Sequence, residues 1–595
     1  MKKHTSTLES ICSVLLVVIF MLALVGPAHA ASTIRYVSPG GSDGDTPVND
    51  CKTSSNPCAT IQHAVGQSSP GDEVRLAGGT YTGTVHISDM LTLRGGYSTT
   101  NWNVSDKTTN PTILNYACLY EDWDSERAIF VDTWLPGHKV SIQDLDIDGC
   151  GIRAGGEVLV ERVSITNGRI SHVPGANVPI TLSDVTISGG SFKHISGASI
   201  ATLTHVTITN SPEYGIYDNS GSSLVLSDAQ ILNCAGIGIS LKNHDGGSIT
   251  RTLVQGNALG IEAMNGGSLT LDQVDILDNT GRGIIDKSAG MVMKHVTIQG
   301  NHAIYVGAVD EWDIDYGDGG GIWTHGGAST WTDVVIRGNT AEGKGGGIYS
   351  GGTMTFIRST VADNQAGQMG GGIWSSGGWV WVDGEITWFN SRPTFIESAI
   401  TGNQAATGGG GLVCHDCLLT LTNSTVANNS TTTGNGGGLL NENDGGVTIL
   451  NSTFSGNSAT VGGGVSASGS LTSSTTIRNT IIANSAAGGD CFIVAGSAPL
   501  IGDHNIIETT STCNSIATIT SDPSLGSLTG SPAYLPLNVG SPAIDAGDDA
   551  FCPATDQIGW PRPRDGDGNG SAICDIGAVE FVPNLEHIFL PLILR

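Results

Sequence analysis

The sequence predicts an all-β protein: a right-handed parallel β-helix (solenoid) with an N-terminal cap and a small C-terminal module. Three observations lead to this prediction: a six-residue phrase that recurs about every 22 residues, alternation of apolar and polar residues within that phrase, and a high glycine content. Glycine supplies 85 of the 595 residues, roughly twice the usual ~7%. This glycine has no three-residue period, so it indicates frequent turns rather than a collagen helix.

The recurring phrase alternates apolar and polar residues and ends on a turn residue. It reads VSITNG at 163, VTISGG at 185, VDILDN at 274 and VTIQGN at 296. A period of two indicates a strand with one buried face, and the asparagine, aspartate or glycine that follows turns the chain. Helical repeats of this length would space apolar residues by three and four. One repeat is therefore one coil, and equivalent strands of successive coils are expected to pair in parallel, with a right-handed crossover.

A second phrase of three glycines and a branched residue joins the first from residue 319. It reads GGGI at 319, 345 and 370, GGGL at 409 and 436, and GGGV at 462. The glycines permit a tight turn, and the branched residue should begin another strand and point inward. Asparagines close many of the first phrases, and we expect them to stack in a hydrogen-bonded ladder rather than to bind a ligand. They are Asn257, Asn279, Asn301, Asn339, Asn364, Asn403, Asn429 and Asn457.

The N-terminus has the pattern of a secretory signal peptide. Lys2 and Lys3 precede an apolar run from Ile11 to Val25, and Ala28-His29-Ala30 offers a cleavage site after Ala30. A membrane anchor is the alternative, but 15 apolar residues are short for a transmembrane span. We expect an exported protein, secreted or on a bacterial cell surface, whose mature chain has no transmembrane span. The net charge of 26 − 55 = −29 disfavours nucleic acid and anionic membranes as partners, and we expect a monomer.

The cysteines fit an oxidising compartment. Twelve are present, of which Cys12 lies in the apolar N-terminal run, and in an exported protein disulfides are the default state of the rest. Spacing suggests five pairs: Cys51–Cys58, Cys118–Cys150, Cys414–Cys417, Cys491–Cys513 and Cys552–Cys574. Cys234 is left as a free thiol. Cys414 and Cys417 are also spaced like half of a zinc site, but no second Cys-x-x-Cys completes it.

Seven of the eleven tryptophans lie within residues 312–388, close to two insertions in the repeat. If Ile322, Ile348 and Ile373 fill the interior, alternation turns the next residue of each strand outward on three successive coils. Aromatic faces pack against sugar rings, and carboxylates accept hydrogen bonds from sugar hydroxyls. The candidate glycan platform comprises Trp323, Tyr349, Trp374, Trp379, Trp381, Asp313 and Asp315. Its carboxylates would favour neutral or cationic glycans. The alternatives are that the insertions cover the aromatic row, or that it belongs to a catalytic site.

An acidic glycine-rich segment near the C-terminus predicts a calcium site. Asp565, Asp567 and Asn569 alternate with glycines, and Gly570 takes the sixth position, as in the first half of a calcium-binding loop. Ile576 stands at the twelfth position, where a complete EF-hand needs a bidentate glutamate. The segment is therefore either a weak extracellular Ca²⁺ site or a simple acidic turn.

The repeat phrases resemble those of the right-handed parallel β-helix proteins of the pectate-lyase-like superfamily. The pairing of GGGI with GN is similar to the polymorphic outer membrane proteins, a non-catalytic surface branch, over residues of about 140–485. The segments SPAIDAGD, TDQIGWPRP, DGDGNG and CDIGAVEF resemble the choice-of-anchor Q module, which implies surface attachment. The closing HIFLPLILR resembles an apolar sorting tail, with a final strand as the alternative.

Together these patterns divide the chain into five segments. They are the signal peptide 1–30, an N-terminal cap with the first coils 31–115, the β-helix 116–515, the choice-of-anchor Q-like module 516–582 and the sorting-like tail 583–595. The resemblance implies a secreted or cell-surface protein, non-enzymatic, that acts in adhesion or in binding an extracellular polysaccharide or cell-surface glycan. A polysaccharide lyase or glycoside hydrolase is the alternative, although hydrolase signatures with paired carboxylates are not recognisable. A purely structural envelope protein is the third possibility. No catalytic residue is assigned, and Ca²⁺ is the one cofactor considered.

Overall fold

The computed structural model describes residues 32–583, except 45–46, 118–126, 134–136, 173–177, 196–198, 220, 306, 309–313, 316, 326, 383–384, 471–472 and 511. The predicted signal peptide and residues 584–595 of the predicted tail thus lie outside the described residues. Between Ile34 and Ile507 the described chain winds into a parallel β-helix, which confirms the predicted fold class. Its strands form three parallel sheets, here named A, B and C. Within this range, no helix is both long and apolar enough for a membrane crossing.

Sheet A has 33 strands, because most coils contribute two strands separated by a bend. The first strand of each coil is Ile34–Val37, Asp72–Ala77, Leu91–Tyr97, Val140–Gln143, Val158–Glu161, Ile180–Ser183, Ile200–Thr204, Ser223–Ser227, Met291–Lys294, Ser329–Thr332, Thr353–Ile357, Arg392–Ile396, Leu418–Thr422, Gly446–Leu450, Ser474–Arg478 or Leu500–Ile501. The second, which carries the recurring phrase, is Gly79–Thr82, Thr112–Asn115, Asp146–Asp148, Ser164–Thr166, Thr186–Ser188, Thr207–Thr209, Gln230–Leu232, Thr297–Gln299, Val335–Arg337, Thr360–Ala362, Ala399–Thr401, Thr425–Ala427, Thr453–Ser455, Ile481–Ala483 or Ile506–Ile507. In two coils one strand spans both positions: Gly247–Gln255 and Leu269–Leu277.

Sheet B has 16 strands and contains the strands that follow the triple glycines. They are Val85–Ile87, Ile129–Val131, Gly151–Ala154, Arg169–His172, Phe192–Ile195, Ile216–Asn219, Ile237–Lys242, Leu259–Met264, Ile284–Lys287, Ile322–Thr324, Ile348–Ser350, Ile373–Ser376, Leu412–His415, Leu439–Asn443, Val465–Gly469 and Cys491–Ile493. Sheet C has five short strands: His302–Ala303, Thr340–Ala341, Gln365–Ala366, Gln404–Ala405 and Ser430–Thr431. Two antiparallel hairpins leave the coils at the insertions: Gly307–Ala308 with Ile314–Asp315, and Gly378–Val382 with Glu385–Phe389.

The N-terminal end of the solenoid is covered by the one α-helix of the described residues, Ile61–Gly66. The Thr60 side chain caps it by accepting a hydrogen bond from the backbone N–H of His63. Ile61 and Ala64 point into the core. A single 3₁₀ turn, Asp549–Phe551, lies in the C-terminal module.

The interior is filled as the alternation predicts. Ile322, Ile348 and Ile373 are at most 1% exposed and face each other in register on successive coils. The glycines before them are needed for the close stacking of coils. A Cβ at Gly347 would lie 2.6 Å from the carbonyl oxygen of Gly372 on the next coil, closer than any real side chain tolerates.

The predicted asparagine ladder is confirmed. Each Nδ2 donates to the Oδ1 of the next asparagine, over distances from 2.8 Å for Asn279–Asn301 to 3.1 Å for Asn257–Asn279. The same Oδ1 also accepts the backbone N–H of the preceding ladder residue, as for Asn339 and Asn364. All eight side chains are at most 1% exposed. They satisfy buried backbone groups at the turn after sheet A.

A second column runs along the bend between the two strands of sheet A, where one residue per coil has φ of 45–57°. From Asp144 to Glu397 this column mostly alternates in charge. Arg162 pairs with Asp144 at 2.5 Å and Arg251 with Asp228 at 2.6 Å. Partly exposed pairs such as Arg251–Asp228 stabilise little individually, but like charges one coil apart would repel, so the alternation supports a single register. The charged part of the column comprises Asp144, Arg162, Asp184, His205, Asp228, Arg251, His295, Asp333, Arg358 and Glu397.

The C-terminal module lies along the side of the last coils. There the bend column changes to asparagine, and Asn423, Asn451 and Asn479 donate to the carbonyl oxygens of residues 555, 551 and 548. Ile481 and Ile576, both 0% exposed, share an apolar cluster between solenoid and module. The module is therefore packed against sheet A rather than suspended after it.

Four of the five predicted disulfides are present: Cys51–Cys58, Cys414–Cys417, Cys491–Cys513 and Cys552–Cys574. Cys150 is disulfide-bonded, and its predicted partner Cys118 lies outside the described residues. Cys234 is free and buried, as predicted. The bond between Cys414 and Cys417 excludes the zinc alternative for those thiols. Disulfides in this number are typical of an oxidising, extracytoplasmic compartment.

Candidate functional site

The outer face of sheet B carries the predicted aromatic row. Trp323 pairs in register with Tyr349, and Tyr349 with Trp374, on three successive coils. Their inward neighbours are the buried isoleucines of the core, so the three rings point away from the interior as alternation requires. Sheet B thus brings together residues that are 25 and 26 positions apart in the chain.

The prediction of a fully open aromatic row is wrong at Trp374, because this residue is only 3% exposed. The ammonium of Lys344 lies 4.0 Å from its ring centroid, and the His415 imidazole stacks on it at 5.1 Å. Val413 and Leu440, its successors in the same row, pack with it in one apolar cluster. Trp374 is therefore a packed part of the surface rather than a stacking face for a sugar.

Trp323 and Tyr349 remain half-buried and form the open part of the row. Their rings are parallel within 5°, with centroids 6.2 Å apart. His325, which is exposed, lies 4.5 Å from the Trp323 ring. Burial raises the pKa of the Tyr349 hydroxyl to about 12, and the nearby Asp318 carboxylate adds to the shift. The hydroxyl is therefore a neutral hydrogen-bond donor and acceptor at physiological pH.

Lysines follow the same face. Of the eight lysines after residue 31, Lys193 and Lys287 lie over the rings of Tyr217 and Trp323, at 5.5 and 4.8 Å from the ring centroids. Lys344 covers Trp374, as described above. Lys242 pairs with Glu262 at 3.6 Å on the same surface. Carboxylates share the face, since Glu262 precedes Trp323 by two coils in the same row and Glu442 lies beside His415, so the lysines make a mixed surface in a chain of net charge −29.

The remaining predicted platform residues belong to the insertions. Trp379 and Trp381 lie in the hairpin strand Gly378–Val382, opposite Trp388 and Ile386, and Asp315 lies in the short strand Ile314–Asp315. The directions of these side chains, and Asp313 itself, fall outside the described residues. The expectation that insertion carboxylates favour neutral or cationic glycans therefore remains a prediction.

Residues 191–366 match the family model described as "Right handed beta helix region". The fold is a right-handed parallel β-helix. The solved structures that are similar include pectate lyase Pel9A, with 11% identity, coverage of 93% of this chain and 98% of that chain, and a TM-score of 0.26. They also include the Azotobacter vinelandii mannuronan C-5 epimerase AlgE6 A-module, with 13% identity, coverage of 74% and 92%, and a TM-score of 0.26. A rhamnogalacturonan lyase has 14% identity, coverage of 66% and 87%, and a TM-score of 0.24. At these identities and TM-scores, the activities of those enzymes are not carried to this chain. No curated protein sequence matches it.

A histidine–carboxylate pair adjoins the aromatic row and was missed by sequence reasoning. His415 Nδ1 lies 2.8 Å from Glu442 Oε1, and the two side chains are 30% and 20% exposed. A carboxylate that holds an imidazole in place is an arrangement used in general acid–base catalysis. The pair sits on consecutive coils of sheet B, 27 residues apart, so no local motif could have revealed it.

A serine–histidine–aspartate network is also present, but it lies inside the solenoid. Ser199 Oγ is 2.9 Å from His194 Nε2, and His194 Nδ1 is 3.2 Å from Asp218 Oδ1. The three residues are 3%, 0% and 0% exposed. Burial lowers the pKa of the adjacent His172 to about 3, and the stacked His194 adds to the effect. No substrate can reach Ser199 without opening the coils, so the network is structural.

The predicted calcium segment forms an exposed loop, in which Asp545 lies beside two of the three predicted ligands. Carboxylate oxygens of Asp545, Asp565 and Asp567 lie within 4.8 Å of one another. Asn569 donates from Nδ2 to Asp567, and its Oδ1 accepts the backbone N–H of Ser571. The same carboxylates accept several backbone N–H groups of the loop, among them those of Gly568 and Gly570 on Asp565. Calcium binding at this loop remains a prediction.

Proposed function

We propose that this protein is an exported, cell-surface or secreted β-helix protein that binds an extracellular polysaccharide along the outer face of sheet B. One observation supports the proposal most directly: Trp323 and Tyr349 present parallel rings in register on adjacent coils. Coils repeat at about 4.8 Å, so the two rings offer a flat apolar surface about as long as a disaccharide. Packing sugar faces against such rings, with polar groups around them, is a common mode of carbohydrate recognition.

The lysines beside the rings favour a polysaccharide that carries carboxylate or sulfate groups, which is the opposite of the expectation drawn from the insertion carboxylates. Lys193 and Lys287 are held over aromatic rings on this face, and an anionic polymer would meet local positive charge on an otherwise acidic protein. A neutral polymer would depend on the rings alone. The two ligand classes therefore differ in salt dependence, because screening weakens only the ionic contribution.

The test is a binding titration of the purified exported protein against matched acidic and neutral polysaccharides. Trp323→Ala and Tyr349→Ala are each expected to weaken binding about tenfold, a typical effect of losing an aromatic contact. Tyr534→Ala, a half-buried tyrosine in the C-terminal module, is the matched control and should bind like the parent. Equal binding by the parent and both platform variants, with all proteins folded, would place the ligand elsewhere.

A polysaccharide lyase is the second candidate, and the His415–Glu442 pair is the observation that favours it. The pair lies beside Trp374 and Lys344, so an imidazole base and an ammonium group adjoin the proposed binding face. A lyase would release unsaturated sugar products, which absorb ultraviolet light. Time-dependent absorbance that is lost in His415→Ala but kept in His205→Ala, at an exposed histidine of the bend column, would establish the enzyme. Binding without product from any polymer of the panel would support the binding protein.

A further inference from the structure

The junction between the last coil and the C-terminal module holds a cluster of potential metal ligands. His504 follows Asn479 in the bend column and has the same left-handed backbone, with φ of 51°. Asn479 exchanges hydrogen bonds with the backbone of Asp548, from its Nδ2 to the carbonyl and from the Asp548 N–H to its Oδ1. This exchange places the Asp548 side chain next to His504. One ligand atom each from Asp503, His504 and Asp548 lies within 4.8 Å of the others.

His504 Nδ1 is the atom that most needs a partner. It is shielded from solvent and makes no hydrogen bond among the described residues, and Asp503 Oδ1 lies 3.6 Å away, beyond hydrogen-bonding distance. Buried ring nitrogens are normally satisfied by a donor, an acceptor or a metal ion. An ion coordinated here would satisfy Nδ1 and both carboxylates together.

The ligand types select the class of ion. An imidazole nitrogen with two carboxylate oxygens is typical of zinc and other first-row divalent metals, whereas Ca²⁺ and Mg²⁺ prefer oxygen ligands alone. Ligand atoms around a tetrahedral zinc ion are roughly 3–3.5 Å apart, so binding would draw the three groups slightly closer. The two other groups that hold these carboxylates are Arg478, which donates to Asp503 at 3.0 Å, and the N–H of Ala550, which bonds Asp548 Oδ1. Arg478 and the Ala550 N–H each engage the Oδ1 atom of their carboxylate, and Asp503 Oδ1 is also the oxygen 3.6 Å from His504 Nδ1. A metal would therefore be met by Oδ2 of each carboxylate.

We propose that Asp503, His504 and Asp548 bind one divalent transition-metal ion, with Zn²⁺ as the best fit, and that this ion fastens the C-terminal module to the last coil. The ligands come from two parts of the chain more than forty residues apart, the last coil at Asp503 and His504 and the module at Asp548. A ligand that binds only the docked arrangement stabilises it by mass action. Metal binding and module docking are therefore coupled, and the acidic loop around Asp565 is a separate, oxygen-only cluster.

The experiment uses the full exported protein, stripped with chelator and titrated with ZnCl₂ by calorimetry, with bound metal counted by mass spectrometry. The parent is expected to bind one Zn²⁺ with micromolar or tighter affinity, unaffected by millimolar CaCl₂. His504→Ala should weaken binding at least tenfold. His205→Ala, an exposed bend histidine beside Asp184, is the matched control and should bind like the parent.

A second variant and a second measurement keep the proposal testable if His504→Ala does not fold. Asp548→Asn keeps an oxygen for the Ala550 N–H but removes the charge, and it should also lose zinc at least tenfold. Protease cleavage between solenoid and module should slow with zinc in the parent and not in Asp548→Asn. Absence of zinc binding by the folded parent, or undiminished binding by Asp548→Asn, would overturn the proposal.

Discussion

Replacing Asn364 by alanine tests whether the asparagine ladder stabilises the solenoid. The Asn364 side chain makes four hydrogen bonds: Oδ1 accepts from the N–H and Nδ2 of Asn339, and Nδ2 donates to Ile336 O and Asn403 Oδ1, all at 2.9–3.0 Å. The residue is 0% exposed, so water cannot replace these partners. At a net value of roughly 1 kcal/mol per hydrogen bond, Asn364→Ala should destabilise this region by about 4 kcal/mol. The backbone N–H of Asn339 contributes most to the loss, because it is left without its acceptor.

The measurement is equilibrium unfolding in guanidinium chloride, followed by tryptophan fluorescence. Trp331 is 1% exposed and packs edge-on against Phe356 at 4.8 Å, so it reports on the coils that Asn364 joins. Asn56→Ala, at an exposed asparagine, is the control and should change stability by no more than about 0.5 kcal/mol. If Asn364→Ala and Asn56→Ala unfold at the same guanidinium chloride concentration, the ladder does not stabilise the solenoid in the way proposed.

Three further predictions concern the aromatic row, the module and calcium. Trp374→Ala should lower the free energy of unfolding by about 3–5 kcal/mol, because the ring is 3% exposed, and a thermal melt like that of the parent would contradict its burial. Burial, with Asp575 nearby, raises the pKa of Glu580 from 4.5 to about 7. Its stabilising contribution is thus complete below pH 4.5 and is lost as pH rises through 7, by at most about 3 kcal/mol. Glu580→Gln should flatten the pH dependence of the free energy of unfolding. If the variant keeps the pH profile of the parent, groups other than Glu580 cause that dependence. Millimolar Ca²⁺ should raise the melting temperature of the module by mass action, with Asp565→Asn abolishing the effect, and identical melts in calcium and in chelator would remove calcium from the account.

Sequence alone determined the features that repeat with the coil. The alternation in the phrases placed Ile322, Ile348 and Ile373 inside, and the closing asparagines predicted the buried ladder. Close spacing, in a chain with a predicted signal peptide, likewise predicted Cys51–Cys58 and Cys491–Cys513. These features are predictable because a solenoid repeats one local conformation, so that residues at equivalent positions of the repeat become neighbours on adjacent coils.

Only the tertiary structure decided which outward residues are covered and which distant groups meet. Alternation placed Trp374 outward, but Lys344 and His415, from neighbouring coils, bury it. The bend asparagines at 423, 451 and 479 donate hydrogen bonds to the C-terminal module, a role that the repeat pattern does not indicate. Asp545 joined the acidic loop, and Asp548 met His504, across 20 and 44 residues of chain respectively. Such contacts depend on the path by which the chain returns along the solenoid. The packing of apolar surfaces, such as Ile481 against Ile576, determines this path. The repeat period of the sequence therefore does not predict it.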